Sequence, residues 1–151
     1  MTHGLVRRFA AGAFGLSVAL CPGTVLAQAN LGELLDAGAK RLSGREFNDE
    51  IAGRSIVGPL PTGGDLEVLY TPGGRVVGRG TSPSYQAPTH RPIIDGNWRI
   101  DEGERVCVTM TFGSQTFPTR CQYWFKLAET YYLSDSDSDR RAKILRRAVK
   151  N

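Results

Sequence analysis

The sequence predicts a small, mainly β domain: an antiparallel meander that curls into a barrel or half-barrel, preceded by one or two short helices. Two observations predict this fold. From Gly53 onwards, short runs of alternating apolar and polar residues are separated by turns rich in glycine, proline and aspartate. Upstream of Gly53, apolar residues recur at helical spacing. Without residues 1–27, the chain has the length of one domain with a single modest core.

The N-terminal residues have the pattern of a bacterial export signal. Two arginines precede an apolar run over 9–20, and small residues follow that fit cleavage after Ala27 or Ala29. The run is too short to cross the ~30 Å of hydrocarbon in a bilayer as a helix. We therefore expect residues 1–27 to be a signal peptide and the mature chain to be periplasmic or secreted from a Gram-negative cell. We expect no transmembrane segment in the mature chain.

Cys21 raises the alternative of a lipoprotein. A lipid-modified cysteine normally follows a small residue, whereas Leu20 precedes Cys21 and Pro22 follows it. We therefore expect Cys21 to be lost with the signal peptide rather than lipidated.

Two short helices are predicted in the segment 28–53. Leucines and alanines at helical spacing predict an amphipathic helix over 31–42. Ser43 and Glu46 then fit a capping box, in which each side chain bonds the other residue's amide, and this predicts a second helix over 44–52.

The segment 54–151 is the predicted β domain. Its last run, 143–149, fits either a helix face or a final strand, and we take the strand. The residues 81–92 form a polar loop with three prolines. The other predicted strands are 54–58, 65–70, 75–80, a strand through Trp98 and Ile100, 105–112, 120–127 and 130–134.

Cys107 and Cys121 are the cysteines that remain after export. An even pair in an oxidising compartment predicts a disulfide, worth roughly 3 kcal/mol for a loop of about 15 residues. The alternation presents a conflict, because Cys107 falls in the polar set of its strand and Cys121 in the apolar set that includes Phe125. A β-bulge near Pro118 would reconcile the two faces, as would a position for Cys121 just before regular pairing begins.

The charge is uneven along the chain. Six basic residues and no acidic residue lie within 140–151, whereas acidic residues outnumber basic ones in 28–139. The basic segment 140–150 predicts either a solvated sheet edge, which we favour, or a surface that meets anionic envelope polymer or lipid. We expect no nucleic-acid partner.

No catalytic or metal constellation is visible. His90 is the only histidine of the mature chain and lies in the proline-rich loop, without a nucleophile motif such as Gly-x-Ser-x-Gly beside it. Acidic pairs such as Asp101 with Glu102 fall in predicted turns, where solvated carboxylates are ordinary. We therefore expect no enzyme, no metal and no cofactor; a hydrolase is the least supported alternative.

Aromatic residues give the most informative constellation. Trp98, Tyr131 and Tyr132 come close together in the predicted meander, and Trp124, a further candidate ligand contact, faces opposite to its aromatic neighbours. The plain interpretation is a packed core with one aromatic on the other face. The sharper interpretation is a ligand-lined barrel, with Arg99 and Arg120 available to hold an anionic group.

The order of short motifs resembles a known group of exported proteins. These motifs are Leu-Ser-x-x-Glu-Phe at 42–47, Gly-x-x-Ile-x-Gly at 53–58, Tyr-x-Pro-Gly-Gly at 70–74, Gly-x-Trp-Arg-Ile at 96–100 and the cysteine pair. Together they resemble the proteobacterial domain of unknown function 995 family over most of 31–151. The resemblance implies a small exported domain and no catalytic residues. Lys150-Asn151 stands where that pattern suggests Gly-Asn.

These observations lead to one functional hypothesis with two alternatives. We expect an exported, non-enzymatic β domain that binds a small ligand or an envelope partner. The first alternative is an envelope interaction through 140–150, and the second is the hydrolase.

Overall fold

The computed structural model describes residues 29–60, 63–81 and 92–150. The predicted signal peptide with Cys21, and most of the predicted polar loop with His90, lie outside the described residues. The elements are α1 (Leu31–Asp36), β1 (Lys40–Arg41), α2 (Gly44–Glu50), β2 (Ser55–Pro59), β3 (Asp65–Tyr70), β4 (Arg75–Gly80), β5 (Ile93–Ile100), β6 (Val106–Phe112), β7 (Gln115–Leu127), β8 (Thr130–Ser134) and β9 (Ile144–Val149).

Strands β2 to β9 form a closed, eight-stranded antiparallel barrel. The predicted fold class is therefore confirmed, and of the predicted barrel or half-barrel the structure has the closed barrel. Consecutive strands pair along the whole series, and β9 returns to pair with β2. The long strand β7 pairs with β6 through its first half and with β8 through its second half. Each described barrel strand therefore has a neighbour on both sides, which protects it from pairing with other chains.

The predicted final strand is confirmed as β9, and it closes the barrel. Val149 pairs with Ile56 of β2, and Arg147 pairs with Tyr131 of β8. β9 thus pairs with a strand on each side. A helix at this place would leave the facing edges of β2 and β8 unpaired. Most of the basic segment 140–150 is consequently part of the barrel wall.

Helix α1 is shorter than the predicted span 31–42. The Asn30 side chain caps its start by accepting from the Glu33 amide at 3.0 Å. Gly38 adopts a φ of 89°, a left-handed conformation that ends helices and that glycine adopts without strain. The residues of β1 then pair with β7 instead of continuing the helix. Sheet pairing therefore overrides the helical periodicity in the last part of the span 31–42.

Helix α2 confirms the predicted capping box. The Ser43 hydroxyl accepts from the Glu46 amide at 3.3 Å, and the Glu46 carboxylate accepts from the Ser43 amide at 2.7 Å. These bonds from Ser43 lower the pKa of Glu46. Gly53 follows the helix with a φ of 85°, a left-handed conformation that commonly ends helices.

The buried apolar residues form two clusters on opposite sides of the barrel wall. The larger cluster fills the barrel and includes Phe47 of α2, Tyr70, Trp98 and Trp124. The smaller cluster lies outside the barrel, where α1 covers part of β7 and β8. Its buried members are Leu31, Leu34, Ala39, Phe125 and Tyr132.

The disulfide between Cys107 and Cys121 is confirmed, and the conflict between faces has a simple resolution. The two residues lie directly opposite each other in the β6–β7 ladder. They share the outer face with Phe125, which is buried because α1 covers it from outside. The apolar residues of β7 therefore lie on both faces. A bulge does occur at Pro118 of β7, where two residues face the one residue of β6 between Val108 and Met110, but the cysteine pairing does not depend on it.

Candidate functional site

The barrel interior contains a cavity of about 470 Å³. Cavities that bury small ligands in proteins usually measure about 300–1,000 Å³, so this volume suits a small molecule. The cavity reaches the surface beside Gln115 and Pro118, which are exposed at the start of β7. Most of its wall is aliphatic or aromatic, with Leu60, Leu66, Val68, Val106, Val108, Met110, Phe112, Phe117, Leu133 and Leu145.

Helix α2 closes the opposite end of the barrel, near the β3–β4 turn. Phe47 is 1% exposed. Its ring meets those of Tyr70, Trp98 and Trp124 edge to face, with centroids 5.6, 5.2 and 5.1 Å away. The Trp98 indole N–H donates to the Thr71 carbonyl at 2.9 Å, which holds this ring in place. The cavity therefore has a packed aromatic floor and one open end.

Arg147 lies inside the barrel and lines the cavity, although it is a charged residue. It is only 5% exposed. Its Nη1 donates to the carbonyls of Pro59 at 2.8 Å and Arg146 at 2.9 Å. Among the residues that the structure describes, no carboxylate forms an ion pair with it. Burial lowers the pKa of the Arg147 guanidinium, because desolvation disfavours the charged form.

Gly58 on the neighbouring strand makes the room that Arg147 needs. A Cβ atom at Gly58 would lie 2.9 Å from Nη1 of Arg147 and 2.5 Å from the Arg146 carbonyl oxygen. Any side chain at this position would therefore displace the guanidinium or the strand. This close approach gives a physical reason for the second glycine of the Gly-x-x-Ile-x-Gly motif.

Tyr70 places a hydroxyl in the same cavity. Burial raises its pKa to about 12, and the positive charge of Arg147 opposes that rise, so the two side chains influence each other electrostatically. Within the described part of the chain, the Tyr70 hydroxyl has no hydrogen-bond partner. The lining of the cavity thus offers a neutral hydroxyl together with a buried cation.

A second arginine lines the cavity near its open end, but this one is paired. Arg120 is half exposed and forms a two-point ion pair with Asp135, at 3.2 and 2.7 Å. Gln122 donates to the same carboxylate at 2.8 Å. Arg120 lowers the pKa of Asp135 most strongly, through this hydrogen bond. The charge of Arg120 is therefore compensated by a carboxylate, whereas Arg147 has no carboxylate partner in the part of the chain that the structure describes.

The residues predicted to bind a ligand are found in different places. Trp124 lines the cavity. Trp98 is buried in the aromatic floor, and Tyr131 packs against Trp124 at 6.4 Å between ring centroids. Arg99 is exposed on the outer face, opposite Cys107. The structure thus brings the three aromatic residues together at the closed end of the barrel and leaves Arg99 outside it.

Arg147 was missed by the sequence argument, although a signal for it was present. Leu145, Arg147 and Val149 alternate along β9, so a strand that turns Leu145 and Val149 inward also turns the arginine between them inward. The surrounding basic residues concealed this alternation, because together they suggest a uniformly solvated segment. Arg140 and Lys150 do lie on the outside, where they form ion pairs with Asp36 and Glu67.

Glu50, Lys126 and Tyr131 form a polar cluster beside the floor. The Glu50 carboxylate accepts from the Lys126 ammonium at 2.6 Å and from the Tyr131 hydroxyl at 2.7 Å. The bond from Lys126 is the main reason that the pKa of Glu50 is lowered. This cluster ties α2 to β7 and β8, so it fixes the helix that closes the barrel.

The described residues also include one group with metal-ligating atoms close together. Asp101, Cys107 and Cys121 bring such atoms within 4.8 Å of one another. The disulfide occupies both sulfurs, so the group offers one carboxylate and no thiolate. In 29–60, 63–81 and 92–150, no helix has the length and apolar character needed to cross a bilayer.

Comparisons with known protein families, with curated proteins and with solved structures find no match to this chain. The resemblance to the domain of unknown function 995 family stays a prediction from the sequence.

Proposed function

We propose that this protein is an exported binding domain without enzymatic activity, and that it holds a small apolar molecule inside its barrel. The cavity of about 470 Å³ carries this proposal. A well-packed interior has few voids larger than a water molecule, so a cavity of this size between a packed floor and an open end suits an occupant.

The chemistry of the wall supports binding rather than catalysis. The described lining residues are apolar, aromatic, amide, threonine or arginine, and none of them is a carboxylate, histidine, cysteine or serine. A general base or an activated nucleophile most often comes from those types, although tyrosine and threonine can also serve. The lining has one of each: burial raises the pKa of Tyr70 to about 12, and the Thr119 hydroxyl bonds to that of Thr109. The polar groups that are present can orient a ligand but have little capacity to transfer a proton at neutral pH.

Titration with an uncharged apolar fluorophore, 1-N-phenylnaphthylamine, tests the proposal. We expect a saturable rise in emission with about one probe bound per chain. Val108→Trp puts a large side chain into the cavity and should weaken binding at least tenfold. Val77→Trp is the matched control, since Val77 lies on β4 outside the described cavity lining and should leave binding unchanged. An absence of saturable binding, or equal binding by both variants, would contradict the proposal.

The export component has its own test. The mass of the protein recovered from the periplasm of an expressing Gram-negative cell should correspond to an N-terminus at Gln28 or Asn30. Retention of residues 1–27 in a cytoplasmic fraction would contradict export. A lipid-modified N-terminus at Cys21 would replace the predicted cleavage by the lipoprotein alternative.

A further inference from the structure

We infer that the cavity selects an amphipathic monoanion, an apolar chain with a carboxylate head group, and that Arg147 and Tyr70 hold the head group inside the barrel. This inference rests on the proposed function and goes further by naming the chemical class of the ligand. Four features of the interior, as the described residues form it, support the inference. They are a buried cation without a carboxylate partner, a hydroxyl without a hydrogen-bond partner, a space kept open for the cation, and an apolar wall.

The first observation that supports an anionic ligand is that no described carboxylate pairs with Arg147. Moving an ion from water into a protein interior is strongly unfavourable, and a buried cation normally has an anion beside it. Arg147 is 5% exposed, and its Nη1 uses two backbone carbonyls. Its Nε and Nη2 have no acceptor among the described residues, so two donors of a planar fork remain available. A carboxylate matches that fork with two parallel hydrogen bonds.

The position of Arg147 is built into the fold. Gly58 leaves the space in which the guanidinium lies, and the two carbonyls fix its direction. The other cavity arginine, Arg120, already has a carboxylate partner in Asp135. An incoming anion is therefore expected to bind at Arg147 and Tyr70 rather than at Arg120, near the open end.

The Tyr70 hydroxyl adds a second contact. It stays protonated at neutral pH because its pKa is about 12, so it donates a hydrogen bond to an anion rather than repelling it. The described wall beyond these two groups is largely aliphatic and aromatic, which suits an apolar chain that extends from the head group to the open end. One charge and one hydroxyl donor match a single carboxylate better than a doubly charged phosphate.

A series of ligands with one chain and different head groups tests this assignment. Dodecanoate, dodecanol, dodecyltrimethylammonium and dodecyl phosphate are titrated into the protein by calorimetry. We expect dodecanoate to bind at least about tenfold more tightly than dodecanol, which corresponds to one charge-assisted contact. The ammonium should bind more weakly than dodecanol. Tighter binding of the phosphate than of the carboxylate would overturn the choice of head group.

Variants assign the effect to Arg147. Arg147→Met should abolish the preference for dodecanoate over dodecanol while dodecanol still binds. Arg146→Met is the matched control, because Arg146 is the adjacent arginine on the same strand and is exposed, and it should keep the preference. Arg147→Lys keeps the charge without the fork, so it should keep part of the preference and provides the test if the methionine variant does not fold.

The outcomes separate this inference from the proposed function. Equal binding of dodecanoate and dodecanol by the natural protein would overturn the anion assignment and leave the apolar cavity in place. Failure of every ligand in the series, together with failure of the uncharged fluorophore, would overturn the proposed function itself. An unchanged preference in Arg147→Met would show that another group holds the anion.

Discussion

Replacing Phe47 by alanine should destabilise the protein strongly, because this ring closes the barrel. Phe47 is 1% exposed, and it contacts three aromatic rings with centroids 5.1 to 5.6 Å away. Truncating a buried phenylalanine to alanine usually lowers the free energy of unfolding by about 3–5 kcal/mol. Aromatic pairs add about 0.5–1.5 kcal/mol each beyond their buried area, so we expect a value near the upper end of that range.

Urea denaturation followed by circular dichroism measures the change, and Phe117→Ala is the matched control. Phe117 is partly buried on the wall near the open end, where truncation enlarges an existing cavity. Phe117→Ala should lower the free energy of unfolding by roughly 1 kcal/mol, since it removes less buried apolar surface than Phe47→Ala does. If Phe47→Ala lost less than about 1 kcal/mol, or no more than Phe117→Ala, α2 would not be the closure of the barrel.

Three further predictions concern the stability of the fold. Reduction of the Cys107–Cys121 disulfide should lower the free energy of unfolding by roughly 3 kcal/mol and the melting temperature by on the order of 10 °C. Thermal melts with and without reductant, together with a count of free thiols, measure this change. An unchanged melting temperature in protein with two free thiols would contradict it. Ser43→Ala should lower stability by about 1 kcal/mol through loss of the capping box, measured by urea denaturation. The bond from Lys126 lowers the pKa of Glu50 below its usual 4.5, so the contribution of Glu50 to stability is complete above pH 4.5 and is lost as the pH falls through the lower folded-state pKa. Glu50→Gln should therefore flatten the acid side of the stability profile, and a profile as steep as that of the natural protein would reject this role.

Local signals in the sequence are strong where a single element decides the outcome. The capping box of Ser43 and Glu46 depends on residues three apart, so α2 is visible in the sequence. The inward alternation of Leu66, Val68 and Tyr70 likewise predicts β3 and its buried face. The disulfide also follows from the cysteine count and the expected compartment.

Local sequence patterns fail to predict the structure where a segment distant in the chain determines the pairing or the burial of a residue. The residues of β1 lie within the helix predicted over 31–42, yet they pair with β7, more than eighty positions away. Phe125 has the sequence pattern of a core residue, but the cover that buries it is α1 on the outside of the barrel. Local periodicity specifies which residues share a face and does not specify what covers that face.

The sequence by itself determined the β meander, the capped helix and the cysteine pair, because each follows from residues close together or from composition. Only the tertiary structure decided that the meander closes, that α2 seals one end, and that the other end leads to a cavity. It also decided that, of the two arginines that line the described cavity, Arg120 is paired with a carboxylate and Arg147 is not. The physical reason is that closure depends on strands distant in sequence, such as β9 beside β2. Charge pairing likewise depends on whether another strand or turn contributes a carboxylate.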